Sequence, residues 1–251
     1  MACYFALNVV SNLTSWIMIL IHKNIEYLIT FPFASEKSMS IEKILYFFLG
    51  LLSAIFTPLI VDTVKKYLNR NKLKKSFGIE LDDVRERLVF VVFKIVSKFG
   101  KYDRELLTWV SSNIKDSFEI HNISGEKFSE VIERLLKLSD QDLKNIDANQ
   151  KTVEGRGLSL KKINLPLVDS KLDSLSLFDL EFQRKLLDIR IQINFMNEEI
   201  EQARFYHRLT FDSGISNENH QLIVQNYTDS NLHISQIAKS IVQKIDSFIQ
   251  D

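Results

Sequence analysis

Five histidines, His22, His121, His207, His220 and His233, are the first residues to weigh for chemistry in this chain. A helical zinc hydrolase sets two imidazoles one turn apart with a glutamate between them, so that both reach one ion while the carboxylate activates water. No His-Glu-x-x-His occurs, and no histidine pair stands at ligand spacing beside a carboxylate, so no metal site is expected. Gly155-Arg156-Gly157 lacks the Lys-Ser or Lys-Thr that a phosphate-cradling loop needs, and no Gly-x-Ser-x-Gly presents a nucleophile. Asp82 and Asp83 read as helix caps, not as a catalytic acid pair. Cys3 is the single cysteine, which rules out an intrachain disulfide and a cysteine-based metal site. The expectation is a chain without a cofactor and without catalytic residues.

Arg204 and His207 lie one helical turn apart near Glu199. Helical bacterial ribonucleases also carry an arginine and a histidine on one helix, but with a longer spacer than the two residues Phe205 and Tyr206 found here. The pair therefore reads as solvated or as closing a helical seam. The 32 basic and 32 acidic residues balance, which argues against a general nucleic-acid grip, since that requires a basic surplus. Asn12-Leu13-Thr14, Asn122-Ile123-Ser124 and Asn226-Tyr227-Thr228 match the glycosylation pattern, but the topology derived next keeps all three from the outer side.

The most informative stretch is Ile44 to Val61, ILYFFLGLLSAIFTPLIV, which carries no charge over 18 residues. With its flanks it spans the ~30 Å hydrocarbon core of a bilayer at ~1.5 Å per residue. Its Ile, Leu, Phe and Val side chains outweigh Ser53, Thr57 and Pro58, and Pro58 is expected to kink the span. Lys65, Lys66, Arg70, Lys72, Lys74 and Lys75 follow at once, with no acid between Thr63 and Gly78. Basic flanks stay on the cytoplasmic side, so the remainder of the chain is expected in the cytosol with this cluster against anionic head groups. Ser40 is the helix-start signal and Gly78 the first stop signal, so span and basic stalk form one helix in this reading.

Residues 3 to 21 form a second hydrophobic segment, which makes residues 1–62 a transmembrane hairpin with a short outer loop containing Pro32. It lacks the basic start and small-residue cleavage site of a signal peptide. Asn8, Ser11, Asn12 and Ser15 share one face of it. Such a stripe serves interhelical hydrogen bonds or lines a water path in an oligomer.

The seven glycines and three prolines are too few for a strand-rich fold, and the rest of the chain reads as helix. Residues 63–78 form the basic stalk and 79–147 a helical domain. Within it one helix runs from Leu81 to Phe99, capped by Asp82 or Asp83 and ended by Gly100. Others begin near Asp103, after Ser124, and at Ser139. Residues 148–176, with Gly155, Gly157 and Pro166, read as a long connector, extended around LSLKKINLPLV. Residues 177–251 carry two heptad seams. Phe182, Leu186, Ile189, Ile193, Met196, Ile200, Ala203 and His207 form the first, and Val224, Tyr227, Asn231, Ile234, Ala238, Ile241, Ile245 and Phe248 the second. Folded through a turn at Asp212, Ser213 and Gly214, they predict a long antiparallel αα-hairpin. Its pairs are Phe182 with Ile245, Leu186 with Ile241, Ile189 with Ala238, Ile193 with Ile234, and Met196 with Asn231.

The expected fold class is all-α: a membrane hairpin, a basic stalk and a cytosolic helical domain ending in that αα-hairpin. This layout resembles the two-span effector proteins of bacterial anti-phage defence systems, including those paired with retrons. The resemblance implies an oligomerising, toxin-like effector at the inner membrane that perturbs the bilayer when triggered. The alternative is a membrane-tethered helical scaffold or sensor for a cytosolic protein. Either reading makes the lipid bilayer one partner and a protein, or a second copy held through the cytosolic helices, the other.

Overall fold

The computed structural model describes residues 41–114, 127–151 and 157–250. Seven α-helices lie within these residues: α1 (Ile41–Phe99), α2 (Arg104–Asn113), α3 (Phe128–Leu136), α4 (Asp140–Lys151), α5 (Pro166–Ser170), α6 (Leu180–Leu209) and α7 (Asn217–Gln250), with a 3₁₀ turn at Leu172–Leu177. No strand occurs among the described residues. The earlier hydrophobic segment, with Asn8, Ser11, Asn12 and Ser15, lies outside them. So does Ser124.

Gly78 does not end the first helix, and Asp82 and Asp83 do not cap a second one. All three sit inside the 59-residue α1. A mid-helix glycine costs about 1 kcal/mol, which is small against the burial of Phe77, Leu81, Val84 and Leu88 on either side of it. The helix stops at Gly100, whose N–H still donates to Val96 O at 2.9 Å.

The unit from Arg70 onward has one continuous core. Side-chain caps set its helix starts. Asp103 accepts from Leu106 N at 3.0 Å, Ser139 from Asp142 N at 3.1 Å, and Asp179 from Phe182 N at 2.9 Å. The bond from Phe182 N–H, more than the nearby Arg70, holds the Asp179 carboxyl below its ordinary range. The Arg104 guanidinium closes the end of α3, donating to Leu136 O at 2.7 Å and Leu138 O at 2.8 Å. Arg85 ties three helices together through Asp246 on α7 and the Asn113 carbonyl at the end of α2.

Helices α6 and α7 pack side by side over most of their length. They run antiparallel, as the cross-pairs show: Phe182 with Phe248, Asp188 with Lys244, Glu199 with His233, and His207 with Tyr227. These pairs lie about one turn further along α7 than the pairing of Phe182 with Ile245 requires. The aromatic group at that end explains the shift. Phe182 stacks on Phe178 at 4.2 Å and meets Phe248 at 4.8 Å, while Phe77 of α1 approaches both Phe178 and Phe182. Offset ring contacts of this kind outrank a generic heptad match.

Burial also pushes the Tyr102 hydroxyl up to about 12 and moves Tyr227 in the same direction. The neutral phenol is the form the fold holds, so the associated stability is intact below pH ~10 and is lost as pH rises through about 12. An alkaline melt followed by near-ultraviolet absorbance is expected to show unfolding coincident with tyrosine ionisation. Tyr102→Phe should move that transition to higher pH.

Candidate functional site: an uncovered apolar helix and a strapped hairpin

No described element covers the apolar part of α1. It is the one described helix long and apolar enough to cross a membrane, with a mean hydropathy of 2.0 over its most apolar 18 residues and none of them buried. Phe47 is 67% exposed and Leu59 58%, and Phe48, Leu51, Leu52, Ile55, Phe56 and Ile60 are similarly bare. Covering such side chains is favourable by roughly 1.5–3 kcal/mol each, so an uncovered set this size needs an apolar surrounding. Thr57 Oγ1 donates to Ser53 O at 2.7 Å and, just past the run, Thr63 Oγ1 donates to Leu59 O at 2.7 Å, so both threonine hydroxyls are satisfied within the helix.

The six basic residues meet different fates. Lys65, Lys66, Lys72 and Lys75 are exposed. Arg70 pairs with Asp179 at 3.3 Å and lies 5.8 Å from the centre of the Phe178 ring. The Lys74 ammonium sits 6.0 Å over Phe182. Lys75 borders a shallow cavity of about 510 Å³ whose floor is the Arg85–Asp246 pair, a structural clamp already satisfied by protein groups.

On the hairpin, Leu186, Ile189, Ile193, Met196, Ile200 and Ala203 are buried from α6, and Tyr227, Asn231, Ile234, Ala238, Ile241, Ile245 and Phe248 from α7. Phe182 is half-buried within the aromatic group. Val224 is a correction: it is 41% exposed, because the shifted register carries α6 toward its end before reaching it. Asn231 is fully buried. Its amide donates to Tyr227 O at 2.8 Å, while its Oδ1 has no partner.

The stretch read as a connector is a strap built into the core. Residues 157–165 have no regular structure, yet Leu160, Ile163 and Leu165 are buried. A main chain placed there must find partners for its polar groups, and side chains of the hairpin supply them. Tyr227 Oη accepts from Leu158 N at 2.7 Å and donates to Leu158 O at 3.1 Å. Arg204 donates to Leu160 O at 2.6 Å. Asn197 accepts from Ile163 N at 2.9 Å and returns a bond to Ile163 O at 2.7 Å. Further on, both oxygens of Glu80 receive the N–H groups of Leu167 and Val168, at 2.7 and 3.0 Å. That carboxylate caps α5, which has no side-chain cap of its own.

Arg204 and His207 both make contacts within the hairpin and its strap. The Arg204 guanidinium is engaged by Leu160 O and by Glu201 at 2.7 Å. His207 lies 5.1 Å from the Phe211 ring and 5.2 Å from that of Tyr227. Glu199 turns to His233 instead, at 3.6 Å. Gly157 passes so near His207 that an added Cβ would sit 1.6 Å from its Nε2, so any side chain there would force the His207 ring to move. Among the described residues no three of His, Cys, Asp and Glu gather as a metal-binding group.

Sequence reasoning missed Glu80, Asn197 and Tyr227 as partners of the strap. The only local hint is that Asn197 and Arg204 stand one heptad apart beside the apolar seam. Tyr227→Phe is expected to cost about 1–2 kcal/mol, since it strands both main-chain groups of Leu158. Chemical denaturation measures the loss, and faster proteolysis near residues 152–160 would locate it.

No protein-family model, no curated protein and no solved structure matches this chain, so its functional reading rests on its own residues.

Proposed function

We propose that this protein is a non-catalytic, membrane-anchored interaction protein. Residues 44–61 of α1 form its anchor, the inner membrane is its site, and the helical unit works on the cytosolic side by contact with protein partners. The bare apolar surface of α1 carries this reading: no described element covers it, and it is long enough to cross a bilayer. The exposed lysines that follow it, Lys65 and Lys66, supply the cytoplasmic flank. Arg204 and His207, the pair nearest to a reaction centre, serve the strap, which supports action by contact over action by catalysis.

A membrane-perturbing effector, of the type met in anti-phage defence, shares the same anchor but differs in output. Its polar stripe would be Asn8, Ser11, Asn12 and Ser15. Expression in bacteria separates the two. The interaction protein stays in the membrane through alkaline extraction, with its C-terminus protected from external protease and the membrane potential intact. Rapid depolarisation and dye entry, relieved by leucine at those four positions, would replace it with the effector. A chain released by alkaline extraction would remove both.

A further inference from the structure

Helix α6 has a second apolar face that the hairpin does not use. Leu180, Ile191, Phe195 and Phe205 are 78%, 47%, 54% and 47% exposed, although the opposite face of the same helix is filled by α7. At about 100° per residue they fall on one stripe, together with Arg184, the half-buried Leu187, and Glu198. Leu187 packs partly against the core, but the exposed apolar residues of the stripe, on a helix whose core face is already occupied, are left out of the packing of their own unit and mark a contact surface.

The order of residues on the stripe points to its occupant. Arg184, Leu187, Ile191, Phe195 and Glu198 are spaced three, four, four and three, a pattern that reads the same from either end. A second α6 laid antiparallel about Ile191 therefore meets the first in register. Ile191 faces its own copy, Leu187 faces Phe195 twice, and Arg184 faces Glu198 twice. A parallel copy would set arginine on arginine and glutamate on glutamate, which opposes that orientation. Arg184 and Glu198 are both exposed and engage no ion pair among the described residues. Leu180 falls opposite Gln202 in the same register, its apolar area covering the amide's stem.

We infer that two copies of this chain associate through α6, antiparallel, about a two-fold axis at Ile191. The contact is isologous, so a single patch serves both partners and closes the assembly at two. It deepens the reading of the helical unit as an interaction module by naming one partner. It does not depend on the anchor, whose failure alkaline extraction reports separately.

The test uses the full chain in native membranes with Cys3→Ser, so that an introduced thiol stands alone. Ile191→Cys should cross-link to a dimer on mild oxidation, whereas Leu222→Cys, 60% exposed on α7, should not. In the Ile191→Cys background, Arg184→Glu or Glu198→Arg should each lower the cross-linked fraction about tenfold, because each turns two attractive contacts into repulsive ones. The double reversal should restore it. Arg184, Ile191, Glu198 and Leu222 are all exposed, and an unchanged helical circular dichroism signal confirms that the fold is kept. Equal cross-linking at Leu222, an uncross-linked Ile191→Cys, or a double reversal no better than the single changes would each overturn the inference.

Discussion

Lysine at both Leu52 and Phe56 is expected to release the chain from the membrane. Each charge at the centre of a span costs roughly 2.5–3.5 kcal/mol on the insertion scale, so the pair removes about 6 kcal/mol from the partition. Both side chains are half exposed in the folded protein, 46% and 53%, and neither touches the buried core. The same lysines on a helix facing water would be nearly neutral, because surface substitutions away from packing rarely exceed about 0.5 kcal/mol. The outcome therefore discriminates: alkaline extraction and density flotation of the double variant should find it outside the lipid fraction. Unchanged flotation would show that residues 44–61 are not the segment that holds the chain in the membrane.

Leu186→Ala should be strongly destabilising, while Val224→Ala should be almost silent. Leu186 has no exposed surface, and a buried leucine cut to alanine loses roughly 2–5 kcal/mol through transfer and cavity terms. For a unit of this size that lowers the melting temperature by about 10 °C. Val224 stands on an equally good heptad, yet it is 41% exposed, so its truncation should stay within about 0.5 kcal/mol. Thermal melts of the two variants under one buffer decide it. Equal destabilisation would mean that α7 packs in the unshifted register.

These two results mark how far periodicity carries. Heptad spacing identifies α6 and α7 because alternation of three and four is a property of one helix alone. It does not choose among registers a turn apart, since each brings apolar faces together. The choice fell to Phe77, Phe178, Phe182 and Phe248, whose ring contacts arise from three separate segments. Gly78 shows the same limit from the other side. Its local signal says stop, but Phe77 and Leu81 on either side are fully buried, Phe77 against rings about a hundred residues away, and that packing carries the helix through.

The strap was the least legible part. A glycine-rich, serine-rich and lysine-rich run ordinarily signals a surface loop, because main-chain groups are solvated more cheaply there. Here the partners of those groups are Tyr227, Arg204, Asn197 and Glu80, and none lies within thirty residues of its acceptor or donor. Arg204, weighed above for chemistry, donates to one of these main-chain groups, Leu160 O.

What the sequence determined by itself is whatever depends on a residue and its near neighbours. The uncharged run from Ile44 to Val61, the caps at Asp103, Ser139 and Asp179, the end at Gly100 and the two heptad seams all belong here. Each is set by helix periodicity, by orphan donors of the first turn, or by transfer of one side chain out of water. Only the tertiary structure decided the continuity of α1, the register of α6 on α7, the burial of the strap and the bare stripe around Ile191. Those depend on which distant groups satisfy one another, and a one-dimensional pattern carries no record of that.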